Sequence, residues 1–231
     1  MQRFAIGIEF CGTHYRGWQT QQTGVISVQE TIEQVLSKIA NEPISLHGAG
    51  RTDAGVHATN MVAHFDSSAL RSERGWLMGS NSQLPKDISI QWIKAMDQDF
   101  HARFKAQARR YRYVVYNRPQ RPALMYKQVT HAYYALDVAK MMQAAQKFEG
   151  THNFESFRAA ACQSNQPVRH VSHCRLIQHG PYLVLDIQAD GGGLVDCRQD
   201  CRSHQKQGGD QAAHGYSSRK NSRSSCLECV V

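Results

Sequence analysis

The switch between two hydrophobic periods near the start of the chain restricts its fold more than any other feature. Phe4, Ile6, Ile8 and Phe10 fall at every second position, which is the period of a β-strand with one buried face. Val28, Ile32, Val35, Leu36 and Ile39 then follow helical spacing, so residues 28–40 read as an amphipathic helix. Ser27 and Glu30 form a capping box at its start, with the hydroxyl and the carboxylate placed to satisfy backbone donors. Between strand and helix lies the polar, glycine-containing loop CGTHYRGWQTQQTG. The same logic predicts strands at 43–49, from about residue 60, at 87–95 and at 109–116, and a helix at about 72–82. Asp137 caps a further helix with Val138, Met141, Met142, Ala145 and Phe148 inward and Gly150 at its end. Residues 168–178 and 182–189 pair as a hairpin around His179-Gly180-Pro181. This order predicts an α+β protein of two similar halves, with a mixed, mainly antiparallel sheet and helices packed on one side. The halves are expected at 1–104 and 105–189, followed by an atypical, low-order tail at 190–231.

The tail loses both periods. DGGGLVDCRQDCRSHQKQGGDQAAHGYSSRKNSRSSCLECVV is rich in glycine and serine and poor in large apolar residues. Such a stretch buries too little surface to offset its ordering entropy. Cys197, Cys201, Cys226 and Cys229 fall within it, and their spacing superficially resembles paired metal-ligand knuckles. The first spacing is unusual and little apolar material surrounds either pair, so no metal is expected. The twelve histidines show no metal spacing either, and His57 and His64 read as structural residues on opposite strand faces.

A net charge of +8 makes nucleic acid a plausible partner, because a basic surface attracts phosphates. No run approaches the ~20 apolar residues that a membrane span needs. MQRFAIGIEF reads as a strand and not as a secretory leader. Seven cysteines, an odd number, without such a leader point to reduced thiols and a cytoplasmic location.

The segment from Gly48 to His57, GAGRTDAGVH, carries the chemistry. Three glycines in eight positions permit tight turns and a close ligand approach, and place Arg51 and Asp53 on a stiff loop between strands. On chemistry alone three readings stand: a glycine turn capped by Asp53, a phosphate cradle, and a catalytic carboxylate beside a positioning arginine. The cradle is weakened because no Lys-Ser/Thr follows and no helix starts there.

GAGRTDAGVHA is similar almost residue for residue to the signature of the TruA family of pseudouridine synthases. The likeness extends to RFAIGIEFCGTHYRGWQ, SVQETIEQVLSKIA, LPKDISIQW, Phe100-His-Ala-Arg-Phe104, Ala108-Arg-Arg-Tyr-Arg-Tyr113, THNFESFRAA (taken as a helix end at 151–160) and Cys162-Gln-Ser164. It covers about residues 3–189. The resemblance implies a pseudouridine synthase fold and a tRNA-modifying isomerase acting on the 3′ side of the anticodon stem-loop. Asp53 would be the catalytic residue, Arg51 would hold the space left by a flipped base, and Tyr111 would stack on the uracil. Arg103, Arg109 and Arg110 would contact RNA phosphate or line the cleft. Strand alternation sets Arg109, Tyr111 and Tyr113 on one face and Arg110 and Arg112 on the other. The family also implies a homodimer on tRNA, with no cofactor or metal. His14 and Arg16 precede Trp18 and Gln19 in a region that the family sets against tRNA, although Trp18 could equally be core.

After Ala189 the family continues with a segment resembling Asn-Ala-Phe-Leu-His-His-Met-Val-Arg, which supplies an apolar residue beneath the uracil, an arginine partner for the aspartate and the completion of the sheet. Here the chain reads Asp190-Gly-Gly-Gly-Leu-Val, the pattern expected of out-of-frame translation or an assembly error. This departure predicts weak or absent turnover. The competing reading is a catalytically impaired RNA-binding remnant.

Overall fold

The computed structural model describes residues 1–19, 25–157 and 167–190, and the backbone of Cys226–Cys229. Its framework is one ten-stranded sheet. The chain enters through β1 (Gln2–Phe10) and crosses helix α1 (Val28–Ala40). It then passes through β2 (His47–Gly48), β3 (His57–Ser67), α2 (Glu73–Gln83) and β4 (Ile88–Met96). β5 (Arg109–Asn117), β6 (Thr130–Ala132), α3 (Val138–Gln146) and β7 (Gly150–Asn153) follow. A hairpin of β8 (Val168–His179) and β9 (Tyr182–Ala189) comes next, and Cys226–Cys229 forms β10. The spatial order is β4-β1-β3-β10-β5-β9-β8-β7, with β2 on β3 and β6 on β5. No helix of the described residues is long and apolar enough to cross a membrane.

Local chemistry explains the elements. The Ser27 hydroxyl accepts the Glu30 N–H at 3.1 Å and starts α1, while Asn41 in the left-handed region ends it. α1 buries Val28, Ile32, Leu36 and Ile39 against Phe4, Ile6, Ile8, Phe65 and Trp76, each side chain contributing about 1.5–3 kcal/mol. A second core gathers Phe154, Val171, Cys174, Leu176 and Leu183 under α3. Cross-strand register places all three helices on one side of the sheet: Phe10 faces Ala58, and β10 sets Ala58 and Tyr111 opposite the same residue, Glu228.

Several expectations are corrected. The strand expected at 43–49 shrinks to His47–Gly48. Residues 151–157 are not a helix end: Gly150–Asn153 pair with β8, and only Glu155–Phe157 make a 3-10 turn. α3 ends at Gln146, and Gly150, at φ +106°, opens the next strand instead. The tail contributes a strand. β10 runs parallel to β3 and antiparallel to β5, and a backbone ladder there needs no side-chain period, because any extended segment satisfies exposed strand edges. Cys197 and Cys201, like Cys162-Gln-Ser164, lie outside the described residues. Among the described residues no cluster of three His, Cys, Asp or Glu side chains could hold a metal.

β3 carries a bulge. Ile8 pairs with Met61 but Phe10 pairs with Ala58, so β3 spends an extra residue at Thr59-Asn60. That residue reverses the alternation and brings His57 to the same side as His64, against the expectation of opposite faces. Both rings are buried, as structural residues should be. His64 Nδ1 accepts the Ala102 N–H at 3.3 Å, and its ring lies 5.1 Å from His47 and 4.6 Å from His101. Burial first, then the neighbouring histidines, hold the His64 pKa down to about 4. The unfolded chain takes up this proton below about pH 6.5, so stability present above that pH is lost as pH falls towards 4. Urea unfolding between pH 7 and 4.5 is expected to show a loss on the order of 2 kcal/mol. H64N, which keeps an acceptor, should reduce that slope and leave the part due to His57 and His101, which burial also holds below the usual histidine range. Asp66, held below its usual range by its bond to Arg3, loses its contribution only below about pH 4, outside this window.

Candidate active site

The loop joining β2 to β3, residues 49–56, is fixed at both ends. Ala49 donates its N–H to the Val62 carbonyl at 2.8 Å and accepts from Arg109 Nη2 at 2.5 Å. Trp18 donates its N–H to the Thr52 carbonyl at 3.0 Å, and Val56 closes the turn onto the Asp53 carbonyl at 3.2 Å. Between these anchors exposure alternates: Arg51 and Asp53 are exposed, and Thr52 between them is buried. Both side chains therefore lie at the surface of the loop.

The 11–18 loop forms the wall behind. Gly17 has φ +103°, and a Cβ there would lie 2.6 Å from the Thr52 carbonyl oxygen. Only glycine therefore lets the two loops touch. Trp18 is core, 2% exposed, packed near Phe10 at 6.1 Å between ring centroids. Tyr15 is buried and donates to Asp87 Oδ1 at 2.8 Å; burial and then this bond push its phenol pKa up. His14, Arg16, Val25 and Ile26 line an open depression of about 280 Å³.

β5 reaches the site from the other half of the sheet. Its alternation follows the sequence reading: Tyr111 and Tyr113 pair with Ile187 and Leu185 on the helix side, and Arg110 and Arg112 with Gln188 and Asp186 on the other. Arg109 shares Tyr111's face and ties that strand to Ala49. The Phe100–Phe104 segment converges there too, because Ala102 packs in a small cluster with Ala49, Val62 and Phe100. Ala49 thus links the loop that carries Arg51 and Asp53 to the strand that carries Tyr111 and to the segment that carries Arg103.

Two arginines occupy positions other than those expected of phosphate contacts. Arg109 is 7% exposed and spends its donor on a backbone carbonyl. Arg110 grips Asp186 through two bonds of 2.7 and 2.6 Å on the opposite sheet face, with Arg112 joining at 3.2 Å. These bonds, Arg110's first, hold the Asp186 carboxyl below its usual range. Arg103 is exposed, with its guanidinium 6.0 Å from the Phe104 ring centroid. Burial decides for the core reading of Trp18, whereas Gly17 carries no sequence signal beyond its place beside that residue.

The family profile described as tRNA pseudouridine synthase matches residues 6–105 and 144–191, spanning the loop and both cores. This chain belongs to the tRNA pseudouridine synthase family. The tRNA pseudouridine synthase A of Acinetobacter baumannii strain AYE is 82% identical over 191 residues, 83% of this chain and 72% of that protein. That of Acinetobacter baylyi is 80% identical over 211 residues, covering 87% and 78%. That of Aeromonas hydrophila is 54% identical over 188 residues, covering 81% and 70%. A tRNA pseudouridine synthase is an isomerase of uridine in tRNA, and the pseudouridine synthase fold is the α+β architecture described above.

Proposed function

We propose that this chain converts uridine to pseudouridine in the anticodon stem-loop of tRNA with Asp53 as its catalytic carboxylate, at a rate lowered by the departure of its sequence after Ala189 from the family's segment. The observation that carries this reading is the Arg51-Thr52-Asp53 alternation on a loop anchored at Ala49 and Thr52. Isomerisation breaks the bond from the ribose C1′ to N1, turns the ring and joins C1′ to C5. The C5 proton leaves and N1 gains one, so no net oxidation occurs. A carboxylate suits this, being both a nucleophile and a proton carrier. The base must leave its stack to be reached. Arg51, exposed beside Asp53, fills the vacated space, and Tyr111 stacks on the uracil. Asp53 acts on a homodimer-bound tRNA in the cytoplasm, and the two halves, 1–104 and 105–189, form the walls of the cleft.

Charge supports an RNA partner. No acidic residue occurs between Asp99 and Asp137, and exposed Arg103, Arg118, Arg121 and Lys127 lie in that stretch with exposed Tyr126, Tyr133 and Tyr134. Phosphate contacts set affinity and register. R103A is expected to weaken tRNA binding and lower the salt slope by about one, with little change in kcat. Filter binding across a salt series measures this. The test of the function itself is release of tritium from C5-labelled uridine in tRNA. Turnover by the full chain supports the reading, and retained binding without release would favour the impaired remnant.

A further inference from the structure

We propose that Arg109 is a positioning residue that locks the strand carrying Tyr111 to the loop carrying Asp53, and that it does not contact RNA phosphate. The inference rests on the assignment of Asp53 and Tyr111 to the reaction.

Four observations converge. Arg109 is almost fully buried, so a phosphate could reach little of it. Its Nη2 donates at 2.5 Å to the carbonyl of Ala49, 60 residues away in sequence. Ala49 is itself 1% exposed, and its carbonyl would otherwise be a buried acceptor without a donor. A charged donor makes this the stronger kind of hydrogen bond. Finally, strand alternation puts Arg109 and Tyr111 on one face, two residues apart, while the loop runs from Ala49 to Asp53 in four steps. A lysine or an amide could not span the same gap with the same rigidity, because the planar guanidinium loses less freedom per bond formed.

The neighbours fit this role. Ala49 also donates to Val62, and Ala102 packs beside it, so its backbone has only one remaining direction to hold. Among the described residues no carboxylate pairs with Arg109, in contrast with Arg110 and Arg112, whose charge Asp186 takes up. Arg109 is thus reserved for the backbone carbonyl, and two adjacent arginines of one strand do unrelated jobs on its two faces.

The test compares the full chain with R109Q and R109K. By hydrogen exchange, amides of residues 49–56 are expected to exchange ~10-fold faster in R109Q, with those of β1 unchanged. By tritium release, kcat should fall ~30-fold or more, with KM for tRNA within ~3-fold, because a small displacement of reacting groups is costly while phosphate contacts persist. R109K, retaining a charged donor, should lie between. If R109Q fails to fold, the same comparison is made with R109K. Unchanged exchange in the loop overturns the proposal. So does a higher KM with a reduced salt slope and unchanged kcat, the signature of a phosphate contact. If the parent chain turns over no tRNA but loop exchange still responds to R109Q, the reading of Asp53 fails and the clamp stands.

Discussion

D53N is expected to abolish tritium release, lowering kcat by roughly 10³-fold or more, while tRNA affinity changes by no more than about 3-fold. The substitution keeps size and hydrogen-bonding shape but removes the negative charge and the nucleophilic oxygen. Asp53 is exposed on its loop, so any contact its carboxylate makes is a surface one and stability should change by no more than about 1 kcal/mol. The loop's anchors lie elsewhere, at Ala49, Thr52 and Val56. Binding is expected to persist because phosphate contacts, and not the reacting carboxylate, dominate affinity for nucleic acid. Single-turnover tritium release and filter binding on the same preparation separate the two effects. A variant that releases tritium at the parent rate would remove Asp53 from the chemistry.

The second large effect is expected from Gly17. In G17A the new methyl would sit 2.6 Å from the Thr52 carbonyl oxygen, well inside any contact that real side chains make. The backbone must also keep φ at +103°, which alanine resists. Thr52 cannot retreat without breaking the bond from Trp18, whose ring is locked in the core. Either the 11–18 loop or the Arg51–Asp53 stretch must move. We expect a stability loss of about 2–4 kcal/mol and a kcat loss of about 10²-fold, since a displacement near 1 Å can cost that much. Gly55 supplies the control. It too has positive φ, +85°, but nothing lies within 4 Å of a Cβ there. G55A should therefore cost only the backbone strain, about 1 kcal/mol. Thermal unfolding of the two variants measures the difference, and equal losses would show that the contact with Thr52 is unimportant.

Other side chains are held for reasons that no local pattern reveals. Arg109 and Arg110 are adjacent and chemically identical. One is buried against the carbonyl of Ala49, and the other is bound to Asp186, 76 residues further along. Trp18 stands in a polar loop yet closes the first core and holds Thr52. The bulge at Thr59-Asn60 puts His57 and His64 on the same side of β3, although their spacing of seven suggests otherwise. The strand at Cys226–Cys229 sits between the two halves of the sheet, although its surroundings in sequence carry no strand period.

What the sequence determined by itself is whatever depends on near neighbours: the strand at 2–10, the helix begun by Ser27, the hairpin at 168–189, and a glycine loop holding Arg51 and Asp53. Periodicity, capping and turn chemistry act over a few residues, so they can be read before the chain folds. The tertiary structure alone decided which arginine faces the loop, which aromatic becomes core and which segment fills the sheet. Those outcomes depend on partners dozens of residues distant, and which partner a guanidinium or a strand edge finds is settled only once the sheet has brought them within hydrogen-bonding reach.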